Sequence, residues 1–436
     1  MEVKQFVGGL NVPHYKSFSE HKAIKEASLP KEIIIPLSQH LGAPNEPLVK
    51  VGDKVKAGQK IGATDKFVSA PVHASLSGTV TAIEPRIPGN SVDCIVIAVD
   101  EKQDELQLVN NDLEKVSKEE ILAAIKEAGI VGMGGATFPT SVKLSPPPDK
   151  KIDALLLNGC ECEPYLTCDH RLMLEKPEEL LQGTKLIMKA LGVENAYICI
   201  EGNKDDAIEA IRDKNDDPRI VLLRMPTKYP QGSEKHLVKA ALDREVPSGG
   251  LPFDVGTMIQ NVGTAVAIYE AVKFNKPLIE RVVAVTGQNI KDPQNLLVKI
   301  GTPLSHLIEE CGGIIEEPAK VINGGPMTGK AQFNLDAPVT KGTTGIIVLP
   351  PEMSFADMDY CDCVRCGKCV EHCPVLLYPN QISIYCEAGM VSEAAEWNTL
   401  DCIECGICAY VCPSKRPIVS LVQRTKPLIR DLAAKS

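Results

Sequence analysis

Eight cysteines near the C-terminus carry the densest chemistry in this chain. They fall in two runs, Cys363-x-x-Cys366-x-x-Cys369-x-x-x-Cys373-Pro374 and Cys402-x-x-Cys405-x-x-Cys408-x-x-x-Cys412-Pro413. Each C-x-x-C step lets a tight turn aim successive sulfurs at one centre, and this spacing is that of a pair of 4Fe–4S clusters. The Cys that precedes Pro in such a run ligates the other cluster. The expected ligand sets are therefore Cys363, Cys366, Cys369 and Cys412 on one cluster, and Cys373, Cys402, Cys405 and Cys408 on the other. A structural zinc knuckle or a disulfide framework is the competing reading. Zinc needs only four ligands and does not call for a repeated C-P run. Clusters of this kind move electrons one at a time.

A second constellation is Gly132-Met133-Gly134-Gly135-Ala136-Thr137-Phe138-Pro139-Thr140-Ser141-Val142-Lys143. Its glycines leave room for a ligand against the backbone, and their N–H groups can face a phosphate or a flavin edge. Alone, such a loop is more often a plain turn. Three further segments add polar residues beside glycine or at a strand end. Asn158-Gly159-Cys160-Glu161-Cys162-Glu163-Pro164 sits where parallel sheets bind ligands. Tyr229-Pro230-Gln231-Gly232-Ser233-Glu234 and Ile259-Gln260-Asn261-Val262-Gly263-Thr264 each follow an apolar stretch.

The elements that must hold these groups change character along the chain. Residues 1–30 read as a polar, irregular extension. Short strands with turn punctuation follow over 31–108, including Ile33 to Ile35 and Ser77 to Ile83. From about residue 110 helices and strands alternate. Ser117-x-x-Glu120 is a capping box that opens a helix ended by Gly129. Asp153 to Asn158, Ala196 to Ile200 and Ile220 to Leu223 read as strands, separated by helices over Pro177 to Ala190 and Asp205 to Asp213. Single helices between strands imply a parallel sheet covered on both faces, a Rossmann-like unit over 112–278. A small mixed sheet with one helix, N-capped by Thr302 with Pro303 in its first turn, suggests a β-grasp module over 279–352. Residues 355–436 carry the cysteine runs, with a helical insert over Ser383 to Glu396 that Glu387-Ala388-Gly389 can break. The basic tail (Lys415, Arg416, Arg424, Lys426, Arg430, Lys435) reads as a solvated helix face or a docking surface.

Two resemblances sharpen this outline. The V-x-x-G-D-x-V-x-x-G-Q run and the later Ser77-Gly78-Thr79-Val80 resemble the barrel-sandwich fold of biotinyl and lipoyl carrier domains, though Lys66 is read as an ordinary exposed turn lysine. The four glycine-bearing segments resemble, in order, the flavin and nicotinamide site of the NADH-oxidising subunit of respiratory complex I. That likeness implies FMN, held non-covalently by Gly132, Gly134, Gly135, Lys143, Asn158, Glu161, Tyr229, Gly232, Asn261 and Thr264. Lys143 would meet the FMN phosphate or ring carbonyl region, Phe138 would stack on nicotinamide or adenine, and Glu163 and Glu234 would contact the dinucleotide. Thr137 stands where that family has a loop glycine, and Cys160 and Cys162 where it has an acid and a serine.

The order of parts, with Phe6-Val7-Gly8-Gly9-Leu10 and the run Val131 to Leu144, resembles the C subunit of the Rnf complex over nearly the whole chain. This implies a peripheral subunit, on the cytoplasmic face of the cell membrane, of an ion-translocating ferredoxin:NAD+ oxidoreductase. It would work with two 4Fe–4S clusters, FMN and NAD(H), with the other subunits as partners and ferredoxin acting indirectly. The rivals are a cobalamin reductase of bacterial microcompartments with the same layout, and a non-catalytic electron-relay scaffold.

Composition agrees with these expectations. The 436 residues are 44% apolar, enough for several domains. A net charge of −10 opposes nucleic-acid binding. The start, Met1-Glu2-Val3-Lys4-Gln5, has no signal-peptide pattern, and no apolar stretch reaches the ~18–20 residues that span a bilayer. Free thiols and cluster ligands fit a reducing compartment. Of the remaining cysteines, Cys94, Cys199, Cys311 and Cys386 read as core residues, Cys361 as a bystander, and Cys160, Cys162 and Cys168 as structural rather than a redox pair. His372 reads as a surface or hydrogen-bonding neighbour of Cys373.

Overall fold

The computed structural model describes residues 3–87, 92–104, 106–317, 319–353 and 359–435. Four parallel strands form its centre, in spatial order Ile220–Met225, Ala196–Glu201, Ala154–Gly159 and Thr257–Asn261. In chain order this is third, second, first, fourth, so the sheet reverses direction beside Ala154–Gly159. Crevices at such reversals are where α/β sheets take ligands. The register pairs Asn158 with Asn261 there, which brings two of the sequence-predicted site residues side by side. Leu155, Leu156 and Leu157 are fully buried, as a strand covered on both faces requires. Each contributes roughly 1.5–3 kcal/mol of hydrophobic burial.

The capping box forms as its sequence requires. Ser117 Oγ accepts from Glu120 N at 3.2 Å and Ser117 N donates to Glu120 at 2.7 Å, starting the helix Lys118–Glu127. Helices Pro177–Leu191 and Val262–Phe274 cross so closely that a Cβ on Gly183 would lie 2.0 Å from the Ala265 carbonyl oxygen.

The 31–108 region closes two small antiparallel sheets, one of them in order Glu32–Pro36, Asp93–Val99, Gly78–Pro85, Lys54–Val55. Its Ile33, Ile35, Ile95 and Ile97 share one core with Ile121, Ile125 and Leu155 of the central domain. Lys66 lies exposed in the loop between Lys60–Ala63 and Val72–His73. The β-grasp sheet has six strands, and its edge is Ile24–Glu26, parallel to Gln294–Lys299. The extension that reads as irregular thus supplies a strand; three residues are too few for an alternation to register in sequence. The β-grasp helix starts at Leu304, one turn position later than Thr302 predicts, because the Thr302 hydroxyl turns back to the Lys299 carbonyl at 2.8 Å.

In the cysteine-rich region the predicted insert is two helices, Pro379–Glu387 and Val391–Glu396. The basic tail is the helix Ile418–Lys435 and the turn before it. Two of its cations point inward. Arg416 is 3% exposed and bonds Glu387, and Lys426 donates to the Cys402 carbonyl at 2.5 Å and to Glu404 at 2.6 Å. For these two residues neither a solvated face nor a docking surface applies. Among the described residues no helix is long and apolar enough to cross a membrane.

Candidate cofactor cleft and cluster sites

A cleft of ≈ 420 Å³ opens at the carboxyl edge of the central sheet. Asn261 caps the helix Val262–Phe274, its Oδ1 accepting from Gly263 N at 2.8 Å, while its Nδ2 donates to Asp169 at 2.7 Å. Asn158 Nδ2 donates to the Gly232 carbonyl at 2.7 Å. The glycine loop lies over this pair. Thr264 Oγ1 accepts from Met133 N at 3.0 Å, and Gly132 N donates to the Phe138 carbonyl at 2.9 Å. A Cβ on Gly134 would meet the Asn261 amide at 2.6 Å, so only glycine fits this approach. A Cβ on Gly135 would meet nothing within 4 Å, because that side of the loop faces the open cleft. Thr137, where the complex I subunit has glycine, keeps a left-handed φ of +54°. For a β-branched residue this is a strained conformation.

The loop Gly159 to Thr167 is anchored from behind by two buried ammonium groups. Lys16, from the N-terminal segment, donates to the carbonyls of Glu161 at 2.9 Å, Glu163 at 3.0 Å and Leu166 at 2.5 Å. Lys204 donates to the Cys160 carbonyl at 2.7 Å. Glu161 turns its carboxylate onto the start of the helix Cys168–Glu175, accepting from Asp169 N at 2.7 Å and His170 N at 3.2 Å. It also accepts from the Cys168 thiol at 3.3 Å. Burial, and then the neighbouring Glu161 charge, push Asp169 up to about 7. Burial holds Glu163 above the usual carboxylate range, although Met327 N and Thr328 Oγ1 donate to it at 3.0 and 2.6 Å. Burial likewise pushes the thiols of Cys160, Cys162 and Cys168 well up, so none is a reactive thiolate.

Gly134, Gly135, Asn158, Glu161, Glu163, Gly232 and Asn261 therefore share one cleft wall, with Gly132 and Thr264 bracing the loop. Four predicted residues lie apart from that lining. Lys143 and Glu234 pair with each other at 2.6 Å, Phe138 stands at the base of the loop, and Tyr229 points away toward the cysteine domain. The opposite wall is one that sequence reasoning misses. The β-grasp module supplies it, from Asn323-Gly324-Gly325 through Lys330 and from Thr340 to Thr344. Its signal was available as a glycine-rich run directly after a strand, Lys320–Asn323.

The eight run cysteines line two small cavities. One is bounded by Cys363, Cys366, Cys369 and Cys412, the other by Cys373, Cys402, Cys405 and Cys408. The two halves repeat with an offset of 39 residues (402 minus 363). Left-handed φ values recur at that offset: Arg365 and Glu404, Gly367 and Gly406, Leu376 and Lys415. Backbone N–H groups already face sulfur, Leu377 N to Cys373 at 3.3 Å and Glu404 N to Cys402 at 3.4 Å. Burial, with neighbouring thiolates adding to it, pushes Cys405 up to about 12 and Cys408 further. Such a set keeps four sulfurs together as thiolates only around cationic metal, which is the donor chemistry of an iron–sulfur cluster.

The cleft and the second cavity share a partition. Tyr229 donates its hydroxyl to the Cys405 carbonyl at 2.8 Å, and a Cβ on Gly406 would lie 2.7 Å from the Met327 carbonyl oxygen. Cys162, which lines the cleft, packs in the same apolar group as Tyr229, Met327 and Cys405. The N-terminal segment seals the joint: Leu10 and Tyr229 exchange both backbone bonds at 2.9 Å, and Gly9 N donates to the His372 carbonyl at 3.0 Å.

Comparison with known proteins matches this architecture part by part. The RnfC barrel sandwich hybrid domain matches residues 4–102, the Nuo51 FMN-binding domain 125–270, the SLBB domain 282–331 and the 4Fe-4S dicluster domain 356–413. Fold and sites thus define a flavin- and iron–sulfur-dependent electron-transfer protein. The chain is 48% identical over 429 residues to the C subunit of the proton-translocating ferredoxin:NAD(+) oxidoreductase complex of Clostridium ljungdahlii, covering 97% of this chain and 94% of that one. It is 46% identical to the Na(+)-translocating counterpart of Acetobacterium woodii, covering 98% of each. It is 42% identical to the C subunit of the ion-translocating oxidoreductase complex of Rhodobacter capsulatus, covering 96% and 82%. The chain belongs to this family, the C subunits of Rnf complexes. Among solved structures, an NAD+-reducing [NiFe]-hydrogenase in its H2-reduced state shares the fold, with a TM-score of 0.52 and 19% identity over 74% of this chain and 67% of that one.

Proposed function

We propose that this chain exchanges hydride with NAD(H) at FMN in the cleft and relays single electrons through two 4Fe–4S clusters. It would do so as the peripheral subunit, on the cytoplasmic face, of a membrane ion-translocating ferredoxin:NAD+ oxidoreductase. The observation that carries the reading is the shared partition: the Cys405 turn lies directly behind the cleft wall through Tyr229 and Met327. When bound, FMN supplies the exchange between the paired electrons of a nicotinamide and the single electrons of an iron–sulfur cluster.

The chain's own residues position and shield. Gly134 and Gly135 would leave room for a flat ring against backbone, and Asn158 and Asn261 hold the sheet edge beside that loop. Lys16 and Lys204 tie down the carbonyls of Cys160, Glu161, Glu163 and Leu166 and so hold this loop in place. Asp169 holds a proton near neutral pH beside the glycine loop. Cys373, Cys402, Cys405 and Cys408 would hold the nearer cluster, and Cys363, Cys366, Cys369 and Cys412 the outer one. Ion transport falls to partner subunits.

Anaerobic purification of the full chain, with counts of FMN, iron and acid-labile sulfide and an NADH:ferricyanide assay, tests the reading. One FMN, about eight irons for two cubanes and NADH-dependent activity are expected. A chain with full iron, no flavin and no response to NADH would refute it.

A further inference from the structure

Two glycine-rich loops face each other across the cleft, and only one belongs to the flavin domain. The other, Asn323 to Lys330 of the β-grasp module, lies beyond the region matching the FMN-binding domain, which ends at residue 270. It is held tightly to the cleft. Gly329 N donates to the Gly325 carbonyl at 2.8 Å, and a Cβ on Gly325 would fall 2.3 Å from the Glu163 carboxylate.

The ionisable groups lining the cleft are lopsided, three carboxyl groups against one ammonium. Glu161, Glu163 and Asp169 line it, and Lys330 is the one cationic residue among the described lining residues. Lys143, which sequence reasoning assigns to a phosphate, is taken by Glu234 at 2.6 Å. Lys330 is exposed at the mouth, and no described carboxylate lies within ion-pair distance of it. Thr328 is already committed to Glu163 at 2.6 Å, and Lys330 is the one cationic group on this loop that can meet an anion. A nucleotide entering above the flavin carries a diphosphate that must be neutralised within a largely acidic cleft.

From these positions we infer that the Asn323–Lys330 loop is the outer half of a dinucleotide site, and that Lys330 recognises the diphosphate of the entering nucleotide. The inference rests on the NAD(H) reading above and adds a binding residue outside the flavin domain. The geometry favours the second nucleotide over the FMN phosphate, because the flavin's own domain ends on the other wall.

The test is isothermal titration of the anaerobically purified, FMN-loaded full chain with ADP-ribose, and with adenosine as the phosphate-free control. Lys330→Gln should weaken ADP-ribose binding about ten-fold, the size of one charge-assisted contact. Adenosine binding and bound FMN per chain should stay unchanged, and Lys330→Arg should restore most of the affinity. Unchanged ADP-ribose affinity in Lys330→Gln overturns the inference and leaves the NAD(H) reading standing. Loss of FMN with unchanged affinity for ADP-ribose also overturns it, by assigning Lys330 to the flavin phosphate. A wild-type chain that binds neither ADP-ribose nor NADH overturns both.

Discussion

Replacing Lys16 with Met keeps most of the aliphatic stem and deletes one ammonium group. That group is 4% exposed and serves three carbonyls, at 2.9, 3.0 and 2.5 Å, from residues about 150 positions away in sequence. Burial, with Lys204 nearby, already holds the Lys16 pKa below its ordinary value, so part of the Coulombic gain is spent on desolvation. The variant recovers that desolvation and leaves three carbonyls, one buried and two partly buried, without donors. At the low end of ~1 kcal/mol for each unsatisfied group, the loss is about 3 kcal/mol. A local opening free energy reduced by that much raises the open fraction roughly a hundred-fold.

The loss should fall on the Cys160 to Thr167 loop rather than on the whole chain, because the strand Ala154–Gly159 has its own backbone ladder. Hydrogen–deuterium exchange read by mass spectrometry resolves this segment. Its amides should exchange about two orders of magnitude faster in Lys16→Met, while peptides from the β-grasp sheet stay protected. Bound FMN per chain should fall in the same preparation, since Glu161 and Glu163 ride on this loop. Loop exchange within about three-fold of wild type, well short of the predicted hundred-fold, would show that the carbonyls find other partners and that Lys16 does not anchor the cleft.

Asp169 gives a pH signature. Its folded pKa, about 7, lies above its unfolded value of 3.8. The stability it contributes is therefore fully present below pH ~4 and is lost as pH rises through about 7; the flavin-free thermal midpoint should fall over that window, and Asp169→Asn should flatten the fall. In Cys366→Ala the cluster of the Cys373 set should still be reduced by NADH, whereas in Cys405→Ala the outer cluster should respond to dithionite but not to NADH; electron paramagnetic resonance of the two variants reads this directly. Gly183→Ala drives a methyl group to within 2.0 Å of the Ala265 carbonyl, and the helix pair must part at a loss of about 1–3 kcal/mol, visible as a lower thermal midpoint with normal iron content.

How much of this was legible depended on sequence distance. The cysteine runs declare their ligand chemistry because each three-sulfur set lies within seven residues, and one turn decides its geometry. The capping box at Ser117 and Glu120, and the triple-leucine strand, are local in the same way. Asn158 and Asn261 were within reach because both sit at strand ends, where ligands gather. Lys16 was not: nothing in the N-terminal 30 residues marks a lysine whose three acceptors lie beyond residue 160. The pairing of Lys143 with Glu234 was hidden for the same reason, since each looked like a free ligand group until the fold placed them 2.6 Å apart. Lys330 had a local signal in its glycine-rich run, but only the packing of the β-grasp module against the central domain turns that run toward the cleft.

The cysteine domain shows how direction arises from a near-symmetric part. Its two halves repeat cysteine spacing and left-handed turns at one offset, so nothing within the repeat distinguishes an entry from an exit. Packing breaks the equivalence. The Cys405 turn is pressed against Tyr229 and Met327 at the cleft wall, while its counterpart Cys366 remains exposed beside Val364, which is 65% exposed. On the function proposed above, electron tunnelling, which weakens steeply with distance, would make the buried turn the side that exchanges with the cleft and the exposed turn the side a partner approaches. The N-terminal segment reinforces that choice: Leu10 pairs with Tyr229 of the flavin domain, and Gly9 N donates to the His372 carbonyl beside Cys373, a predicted ligand of the same cluster site as Cys405. A segment that reads as an irregular extension thus helps give an internally repeated domain its polarity.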